Sequence, residues 1–279
     1  MPVAAASLIR KMRGGAQSHL IEGNDGHRYV VKFLNNPQHR RILVNEWVSG
    51  VLLRHLQIHS PEIVLIQITE EFIAANPELC VVRGSRREQP LPGLHFGSRM
   101  AVNPERIAIY DFLPDTLLGK IENRSDFLGA VVFDKWVCNA DSRQAVFFRA
   151  RGKKWTPLKG ETPARTGFFA QMIDHGFAFN GPHWAFPDSP MHGIYFRASV
   201  YDEVRSVEDF EPWLDMVKYF PLEVIDQAWK EIPPSWLDGD EDELERLLEQ
   251  LLKRRGRVEQ LILDTWKSRP AMFPNWKSG

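Results

Sequence analysis

Cysteine is scarce in this chain: its 279 residues include only Cys80 and Cys138, which lie far apart in the sequence. Two isolated cysteines do not make a disulfide framework, and their spacing does not fit a cysteine-rich zinc site. A reducing compartment is therefore the expected environment. Long apolar runs are also missing, since none reaches the roughly 18 residues that a membrane-spanning helix needs, and residues 1–15 do not follow the pattern of a secretory signal peptide. We expect a cytoplasmic protein that has no membrane partner.

Neither charge dominates the sequence. The 35 Lys and Arg residues and the 36 Asp and Glu residues give a formal net charge of −1, so we do not expect a nucleic-acid partner. The basic run at 253–257 is interpreted as a solvated helix face, because acidic residues precede it at 241–245. Hydrophobic residues make up 43% of the chain and include nine Trp and seventeen Phe, which indicates a packed globular core.

The first hundred residues alternate between strand signals and turns, with one helix. Residues 23–26 (GNDG) favour a hairpin turn, and the return strand at 28–34 (RYVVKFL) carries a central lysine, Lys32. Apolar residues at helical spacing predict an amphipathic helix from about 40 to 56, which carries Glu46. Other strands are predicted at 7–12, 19–22, 62–68 and 78–83, and residues 93–100 are a strand or a connector.

Beyond Pro104 the pattern changes toward helices. Ser125 and Asp126 are typical of a helix start, and the apolar segment after them predicts a helix that ends near Asn139. Short strands are predicted at 146–149 and 171–174, on either side of a polar loop at 152–167, and C-terminal helices at 221–229 and 240–266. The tryptophans expected to anchor the core and the contact between lobes are Trp184, Trp213, Trp229 and Trp236.

Several features follow one another in the order that phosphoryl transfer requires. The glycine turn at 14–15 lets backbone N–H groups approach a phosphate, because glycine has no side chain in the way. Lys32 on a later strand can reach phosphate oxygens, and Glu46, fourteen positions further on, can orient that lysine through an ion pair. Asp141 and Asp174 lie on either side of a predicted hairpin and can face one cleft. One carboxylate would orient or deprotonate a hydroxyl, and the other would bind Mg²⁺.

Five short motifs in this order resemble the HipA-like kinases, a branch of the protein-kinase-like superfamily. They are GGAQS at 14–18, YVVKF at 29–33, NEW at 45–47, FDKWVCNAD at 133–141 and MIDHG at 172–176. The resemblance covers residues 13–179 and is greatest to the short bacterial members of the family. It implies an α+β fold with two lobes: a small strand-rich N-terminal lobe with one helix at 1–100, and a larger, mainly helical C-terminal lobe at 101–279.

The resemblance also implies a function and its residues. ATP and Mg²⁺ would be the cofactors, and the γ-phosphate would pass to a hydroxyl of an unidentified protein or small molecule. Lys32 would contact the phosphates with Glu46 as its partner, Asp141 would be the catalytic carboxylate, and Asp174 would bind the metal. The adenine would lie near residues 94–100. The phosphate loop would consist of Gly14, Gly15, Ala16, Gln17 and Ser18.

One loop departs from the family pattern. The family's catalytic loop reads Asn-x-Asp-Arg-His-x-x-Asn, whereas residues 139–146 here read NADSRQAV. Val146 occupies the place of the second asparagine, normally a metal ligand, and Gln144 is the candidate to supply the missing oxygen. This departure keeps open an alternative function, a nucleotide-binding pseudokinase or interaction module without phosphotransfer. Family analogy alone suggests a further alternative, a toxin-like kinase that acts on a translation factor.

Two residues beside these positions have structural interpretations. Asp134 lies inside the apolar helix and is expected to brace the catalytic loop rather than to take part in chemistry. His175 follows the metal-binding candidate Asp174 and is expected to pack or to form a hydrogen bond there.

Overall fold

The structure is a computed structural model that describes residues 1–152, 158–159 and 166–277. Its strands are β1 (Val3–Lys11), β2 (His19–Gly23), β3 (Arg28–Lys32), β4 (Ile63–Ile68), β5 (Val81–Arg83), β6 (Arg86–Glu88), β7 (Gly93–Arg99), β8 (Ile109–Tyr110), β9 (Gln144–Arg151) and β10 (Thr166–Ile173). Its α-helices are α1 (Arg41–His55), α2 (Glu70–Ala75), α3 (Asp115–Leu118), α4 (Asp126–Val137), α5 (Trp213–Lys218), α6 (Leu222–Lys230), α7 (Pro234–Leu237), α8 (Glu241–Arg254) and α9 (Val258–Ser268). Most of the polar loop predicted at 152–167 lies outside the described residues. Strands dominate up to β7 and helices dominate the C-terminal half, so the predicted α+β class is confirmed.

Five strands close into a barrel in the order β1-β2-β3-β7-β4. Neighbours pair antiparallel except β1 and β4, whose parallel pairing closes the barrel. The predicted GNDG turn joins β2 to β3, and its Gly26 has a φ of +74°, which glycine adopts without steric cost. Strands β5 and β6 form a separate hairpin.

Alternation along β3 fills the barrel and leaves Lys32 outside it. Tyr29, Val31 and the following Phe33 are buried in one hydrophobic cluster with isoleucines of β2 and β4. Because successive side chains of a strand point to opposite faces, Lys32 points away from this cluster. Its partner on β7 is Phe96, which belongs to the larger hydrophobic cluster of the helical part. Lys32 therefore faces the helical part of the chain.

Helix α1 is buried on almost every side. Eleven of its fifteen residues are buried, including the polar Asn45, Glu46 and Ser49. The predicted helix is present, but the expected amphipathic character is wrong, because the helix contacts strand β7 and also packs against α6, α7 and the segment 178–183. A helix enclosed in this way has no face left for solvated side chains.

Helix α4 is the centre of the helical part. All twelve of its residues are buried, and the indole of Trp213 packs directly against Gly129. The helix ends at Val137, where Cys138 adopts a left-handed conformation. The predicted end near Asn139 is therefore confirmed to within two residues.

Ser125 does not cap α4 as the sequence predicts. Its backbone is already helical, and its hydroxyl donates a hydrogen bond to the carbonyl of Lys159. Asp126 instead joins the helix start to its neighbours, because Oδ2 accepts hydrogen bonds from the backbone N–H of His59 and from Asn123 Nδ2. The carboxylate thus fixes α4 to the segment that leads into β4.

Strands β8, β9 and β10 form a second sheet, with β9 in the middle. The predicted strands at 146–149 and 171–174 correspond to β9 and β10, which are longer and pair antiparallel. Gln144 lies opposite Ile173 and Val146 lies opposite Gln171. The side chains of these four residues share one face, since Ala170 and Met172 of β10 belong to the hydrophobic core on the other face.

The segment at 93–100 is a strand rather than a connector. Strand β7 pairs with β3 on one side and β4 on the other, so the chain leaves the barrel only at Met100. In the part of the chain that the structure describes, no helix combines the length and the apolar character that crossing a membrane requires.

The C-terminal helices differ from prediction, since α5 and α7 were not predicted. The helix expected at 240–266 divides into α8 and α9, because a 3₁₀ turn over Arg255–Arg257 separates them. Three of the four tryptophans expected as anchors, Trp184, Trp213 and Trp236, are buried, and Trp229 is partly buried against the same core.

The packing of α4 predicts a stability difference between two glycines. A Cβ at position 129 would lie 2.6 Å from Trp213 Cε2, whereas nothing lies within 4 Å of a Cβ at position 256. We expect Gly129→Ala to lower the free energy of unfolding by about 1–3 kcal/mol through overpacking. The matched control Gly256→Ala should leave that free energy unchanged or slightly raised. Urea unfolding measures both, and equal stability of the two variants would contradict close packing at Gly129.

Candidate active site

Lys32 is buried between two carboxylates that come from distant parts of the chain. Its Nζ donates one hydrogen bond to Glu46 Oε1 on α1 and another to Asp174 Oδ1, 2.8 Å away, just after β10. Because Lys32 lies at the end of β3, one ammonium group joins the barrel, α1 and the second sheet. The predicted ion pair between Lys32 and Glu46 is therefore present in the structure.

The two carboxylates keep Lys32 charged. Burial by itself lowers the pKa of a lysine, but the negative charges of Glu46 and Asp174 raise the pKa of Lys32 above its ordinary value. The positive charge of Lys32 in turn lowers the pKa of Asp174, and this effect exceeds the opposite effect of burial. At neutral pH the site therefore holds a protonated lysine and an ionised Asp174. The side chain of Asp174 is 39% exposed, so the carboxylate can also meet a ligand from solvent.

The backbone after Asp174 runs closely along α1. A Cβ on Gly176 would lie 2.7 Å from Ile42 Cγ2, so the glycine is required for this approach. Asn45, next to Glu46 in the sequence, fixes the same segment: its Nδ2 donates hydrogen bonds of 2.7–3.0 Å to the carbonyls of Gly176, Ala178 and Gly181. Sequence analysis missed this role of Asn45, although a polar residue in an otherwise apolar helix was a visible signal.

Asp141 lies in the loop between α4 and β9, across the hairpin from Asp174. Gln144 stands between the two, with Nε2 3.4 Å from Asp141 Oδ2 and 3.4 Å from Asp174 Oδ2. The other oxygen of Asp141, Oδ1, accepts a hydrogen bond of 2.7 Å from the backbone N–H of Ser142. The structure therefore brings five predicted site residues into one cluster: Lys32, Glu46, Asp141, Gln144 and Asp174.

A buried ion pair fixes the loop that carries Asp141. The guanidinium of Arg143 binds the carboxylate of Asp134 through two nitrogens, with Nε 2.7 Å from Oδ2. Asp134 Oδ1 also accepts a hydrogen bond of 3.0 Å from Asn139 Nδ2. Both partners of Asp134 belong to the loop, so the expected bracing role of Asp134 is confirmed.

Arg143 also reaches the strand that leads to Asp174. Its NH1 donates hydrogen bonds to the carbonyl of Ile173 at 3.0 Å and to His175 Nδ1 at 2.9 Å. Burial, with the positive charge of Arg143, holds the pKa of His175 well below its ordinary value, so the ring is neutral and accepts this bond. His175 is structural, as expected. Sequence analysis missed Arg143, although an arginine stands where the family pattern has histidine.

The oxygen donors near Asp174 fit Mg²⁺ with a nucleotide, rather than a site made only of protein ligands. Asp174 Oδ2 is not bonded to Lys32 and faces Gln144, whose amide oxygen and nitrogen exchange places by rotation. Val146 shares the face of Gln144 but offers no donor. Among residues 1–152, 158–159 and 166–277, no three His, Cys, Asp or Glu side chains form a metal cluster. Mg²⁺ is commonly held by one or two carboxylates together with substrate phosphates.

The predicted phosphate loop is the turn between β1 and β2. It lies at the Lys32 end of the barrel, because His19 after the turn pairs with Val31. Gly14 has a φ of +117°, which favours glycine. The side chain of Gln17 points to the β5–β6 hairpin, where Nε2 donates a hydrogen bond of 2.7 Å to the carbonyl of Val82. Phosphate binding by Gly14, Gly15, Ala16, Gln17 and Ser18 stays a prediction.

A cavity of about 720 Å³ opens at the other end of β3. Its lining includes Arg28, residues 100–103 where the chain leaves the barrel, and Gln171 of β10. Arg28 is four residues from Lys32, which corresponds to roughly 13 Å along a strand. Gln171 lines this cavity and shares the face of Gln144 and Ile173 on the second sheet.

The barrel, the buried helix α1 and the cleft beneath them define a protein-kinase-like fold. Two solved structures of the Golgi casein kinase, one of them with Mn/ADP bound, share it with TM-scores of 0.54 and 0.51. Each comparison covers 96% of this chain and 74% of the kinase, at 12% and 11% sequence identity, so the likeness shows the fold alone. The family profile described as HipA-like kinase matches residues 6–263. The chain belongs to the HipA-like kinase family. Among curated proteins, no relative matches it.

The Asp134–Arg143 pair predicts an asymmetric response to substitution. Arg143→Met leaves the fully buried carboxylate of Asp134 without its partner, and we expect a loss of about 3–5 kcal/mol in the free energy of unfolding. The double variant Asp134→Asn with Arg143→Met removes both charges and should lose clearly less. Chemical denaturation of both variants makes the comparison, and a double variant as unstable as Arg143→Met would show that the charge pairing is not the cause.

Proposed function

We propose that this chain is an ATP- and Mg²⁺-dependent phosphotransferase that moves the γ-phosphate of ATP to a hydroxyl of a protein or small molecule. The observation that carries the proposal is the position of Lys32, whose ammonium contacts both Glu46 and Asp174 beside Asp141. Membership in the HipA-like kinase family supports it. The Golgi casein kinase structure with Mn/ADP bound supports a nucleotide and a divalent metal as ligands of this fold.

The charged residues would divide the work of binding. Lys32 would hold phosphate oxygens as a point charge, and Glu46 would keep its ammonium in place from the buried side. Asp174 would hold Mg²⁺ through Oδ2, with Gln144 as a further oxygen donor. When bound, the metal would neutralise the negative charge of the phosphates and orient them.

Asp141 would act on the acceptor. It would accept a hydrogen bond from the acceptor hydroxyl and orient its oxygen toward the γ-phosphorus. As the bond between this oxygen and phosphorus forms, the bond from phosphorus to the β,γ-bridging oxygen breaks, and the hydroxyl proton passes to Asp141. Arg143, in the loop of Asp141, would hold Asp141 and Asp174 in their relative positions, since it binds Asp134 of α4 and the carbonyl of Ile173 next to Asp174. Positioning and charge stabilisation would supply most of the rate.

The nucleotide would extend along the face of β3 that carries Lys32, outside the barrel. Its phosphates would lie at Lys32 under the glycine turn at 14–18, and its base would point toward the cavity near Met100. The adenine would then lie at the end of the segment 94–100, near Met100, where the chain leaves the pairing of β7 with both neighbours.

A second candidate, a nucleotide-binding module without phosphotransfer, is favoured by Val146. This side chain shares the cleft-facing side of β9 with Gln144 and cannot ligate a metal. Thermal unfolding in the presence of Mg·ATP separates the candidates, because any ligand that binds only the folded state raises Tm. A rise in Tm without phosphate transfer would favour the module, and the absence of any rise would contradict both candidates.

The roles of the two aspartates predict a split between binding and transfer. We expect Asp141→Asn to lower phosphate transfer to a degenerate Ser/Thr peptide mixture by roughly 10²–10⁴-fold while Mg·ATP still raises Tm. Asp174→Asn should abolish both effects, because it removes the metal-binding charge. Asp242→Asn, on the exposed face of α8, serves as the control and should behave like the wild type. Equal transfer by all four proteins would exclude the mechanism.

Lys32 should contribute to nucleotide affinity. We expect Lys32→Ala to raise the Kd for Mg·ATP at least tenfold, which corresponds to about 1.4 kcal/mol of lost interaction. Lys120→Ala, at an exposed lysine, is the matched control. Because Lys32→Ala leaves Glu46 buried without a cation, Lys32→Ala combined with Glu46→Gln should be measured as well. Calorimetric titration gives all affinities, and wild-type Kd values in both Lys32 variants would remove Lys32 from the site.

A further inference from the structure

A segment of the chain, residues 186–194, passes directly beside the loop that carries Asp141. The backbone N–H of Gly193 donates a hydrogen bond of 2.9 Å to the carbonyl of Asp141, and the N–H of Arg143 donates one of 3.1 Å to the carbonyl of Ile194. Gly193 has a φ of +69°, and a Cβ there would lie 2.2 Å from Asp134 Cβ. Only glycine permits this approach, so the end of the segment is held against the catalytic candidate.

The side chain of Lys135, on α4, binds the middle of the segment. Lys135 is a residue of α4 that is only 4% exposed. Its Nζ donates hydrogen bonds to three carbonyls of the segment, those of Ser189 at 3.2 Å, Pro190 at 3.1 Å and His192 at 2.7 Å. An ammonium group has three donors, so all of them are used within this one segment. The neighbouring carboxylate of Asp134 is engaged by Arg143. Burial lowers the pKa of Lys135 to about 8, and the negative charge of Asp134 is the largest effect that opposes this shift.

Arg254 at the end of α8 and Arg257 in the following 3₁₀ turn hold the beginning of the segment. Arg254 donates a hydrogen bond of 2.6 Å to Asp188 Oδ1, and its guanidinium lies 4.5 Å from the ring centroid of Phe186. Arg254 NH2 also donates to the carbonyl of Lys135, so the two anchors touch each other. Arg257 contacts the second oxygen of Asp188 at 2.9 Å.

We propose that Lys135 is a positioning residue of the phosphotransfer. It holds the 186–194 segment against the Asp141 loop, so that the segment forms a preformed wall on the side of the acceptor. Asp188 is the second point at which the segment is held. Comparable segments of protein kinases are often ordered by phosphorylation, which creates new contacts to arginine. Here the anchoring charges are lysine and arginine bound to carbonyls and to Asp188 within the chain itself. This inference rests on the proposed function for its catalytic part only.

Hydrogen–deuterium exchange on the full chain tests the anchoring. Lys135→Met keeps the length of the side chain but removes all three donors. We expect amide exchange within 186–194 to accelerate at least tenfold, while exchange in α1 stays unchanged. Lys267→Met, at an exposed lysine of α9, is the matched control and should leave both regions as in the wild type. If Lys135→Met does not fold, Asp188→Ala is measured instead, because it removes the contacts of Asp188 with Arg254 and Arg257. In that variant, amide exchange should accelerate at residues 186–190.

Phosphate transfer to the degenerate Ser/Thr peptide mixture tests the positioning role with the same proteins. Lys135→Met should lower the transfer rate at least tenfold, while the Kd for Mg·ATP stays at its wild-type value. Unchanged exchange in both Lys135→Met and Asp188→Ala would overturn the anchor. Accelerated exchange with a wild-type transfer rate would overturn the positioning role. If the wild type itself transfers no phosphate, the proposed function fails and the positioning role with it, whereas the exchange result still decides whether Lys135 orders the segment.

Discussion

The arrangement of the cleft depends on one ammonium group. A lysine with little exposure is expected to lose its proton, because burial favours the neutral form. Lys32 stays charged because Glu46 and Asp174 contact it from two other elements. Separation of the barrel from α1, or of α1 from β10, would leave a buried charge without its partner, a state that costs several kcal/mol. The contacts of this ammonium with the two carboxylates therefore fix the relative positions of the three elements that carry them.

A second buried ion pair extends this constraint to the catalytic loop. Asp134 and Arg143 join α4 to the loop of Asp141, and Arg143 continues to the backbone at Ile173, one residue before Asp174. The two ion pairs thus meet at the end of β10. Asn45 adds a third link by binding the carbonyls that follow Asp174. A displacement of Asp174 would disturb all three sets of contacts, so the cleft residues form one connected unit rather than separate side chains on a surface.

Sequence reasoning succeeded where a local pattern determines the outcome. The GNDG turn, the strand of Lys32, the helix of Glu46 and the hairpin of β9 and β10 all follow from side-chain period and turn chemistry. Prediction from the sequence failed where contacts between distant segments determine the position of a residue. The apolar spacing of α1 indicates one buried face, but the second face is covered by segments far away in the sequence. Ser125 is a residue type typical of a helix cap, yet its hydroxyl donates a hydrogen bond to the carbonyl of Lys159, 34 residues later. The role of Arg143 depends on three partners that only the folded chain brings together.

The balance of charges in the site indicates what the binding of a nucleotide would require, more directly than any single residue does. The carboxylates of Glu46, Asp141 and Asp174 lie around the ammonium of Lys32, whereas the carboxylate of Asp134 interacts with the charges of Arg143 and Lys135. A triphosphate alone would add negative charge to a region that already has an excess of it, within distances at which partly buried charges are weakly screened. A divalent cation would remove this conflict if Asp174 and the phosphates held it together, as proposed. Val146 deprives the cleft of one amide ligand but does not change this balance. Nucleotide binding in this cleft should therefore depend on a divalent metal whether or not phosphate is transferred.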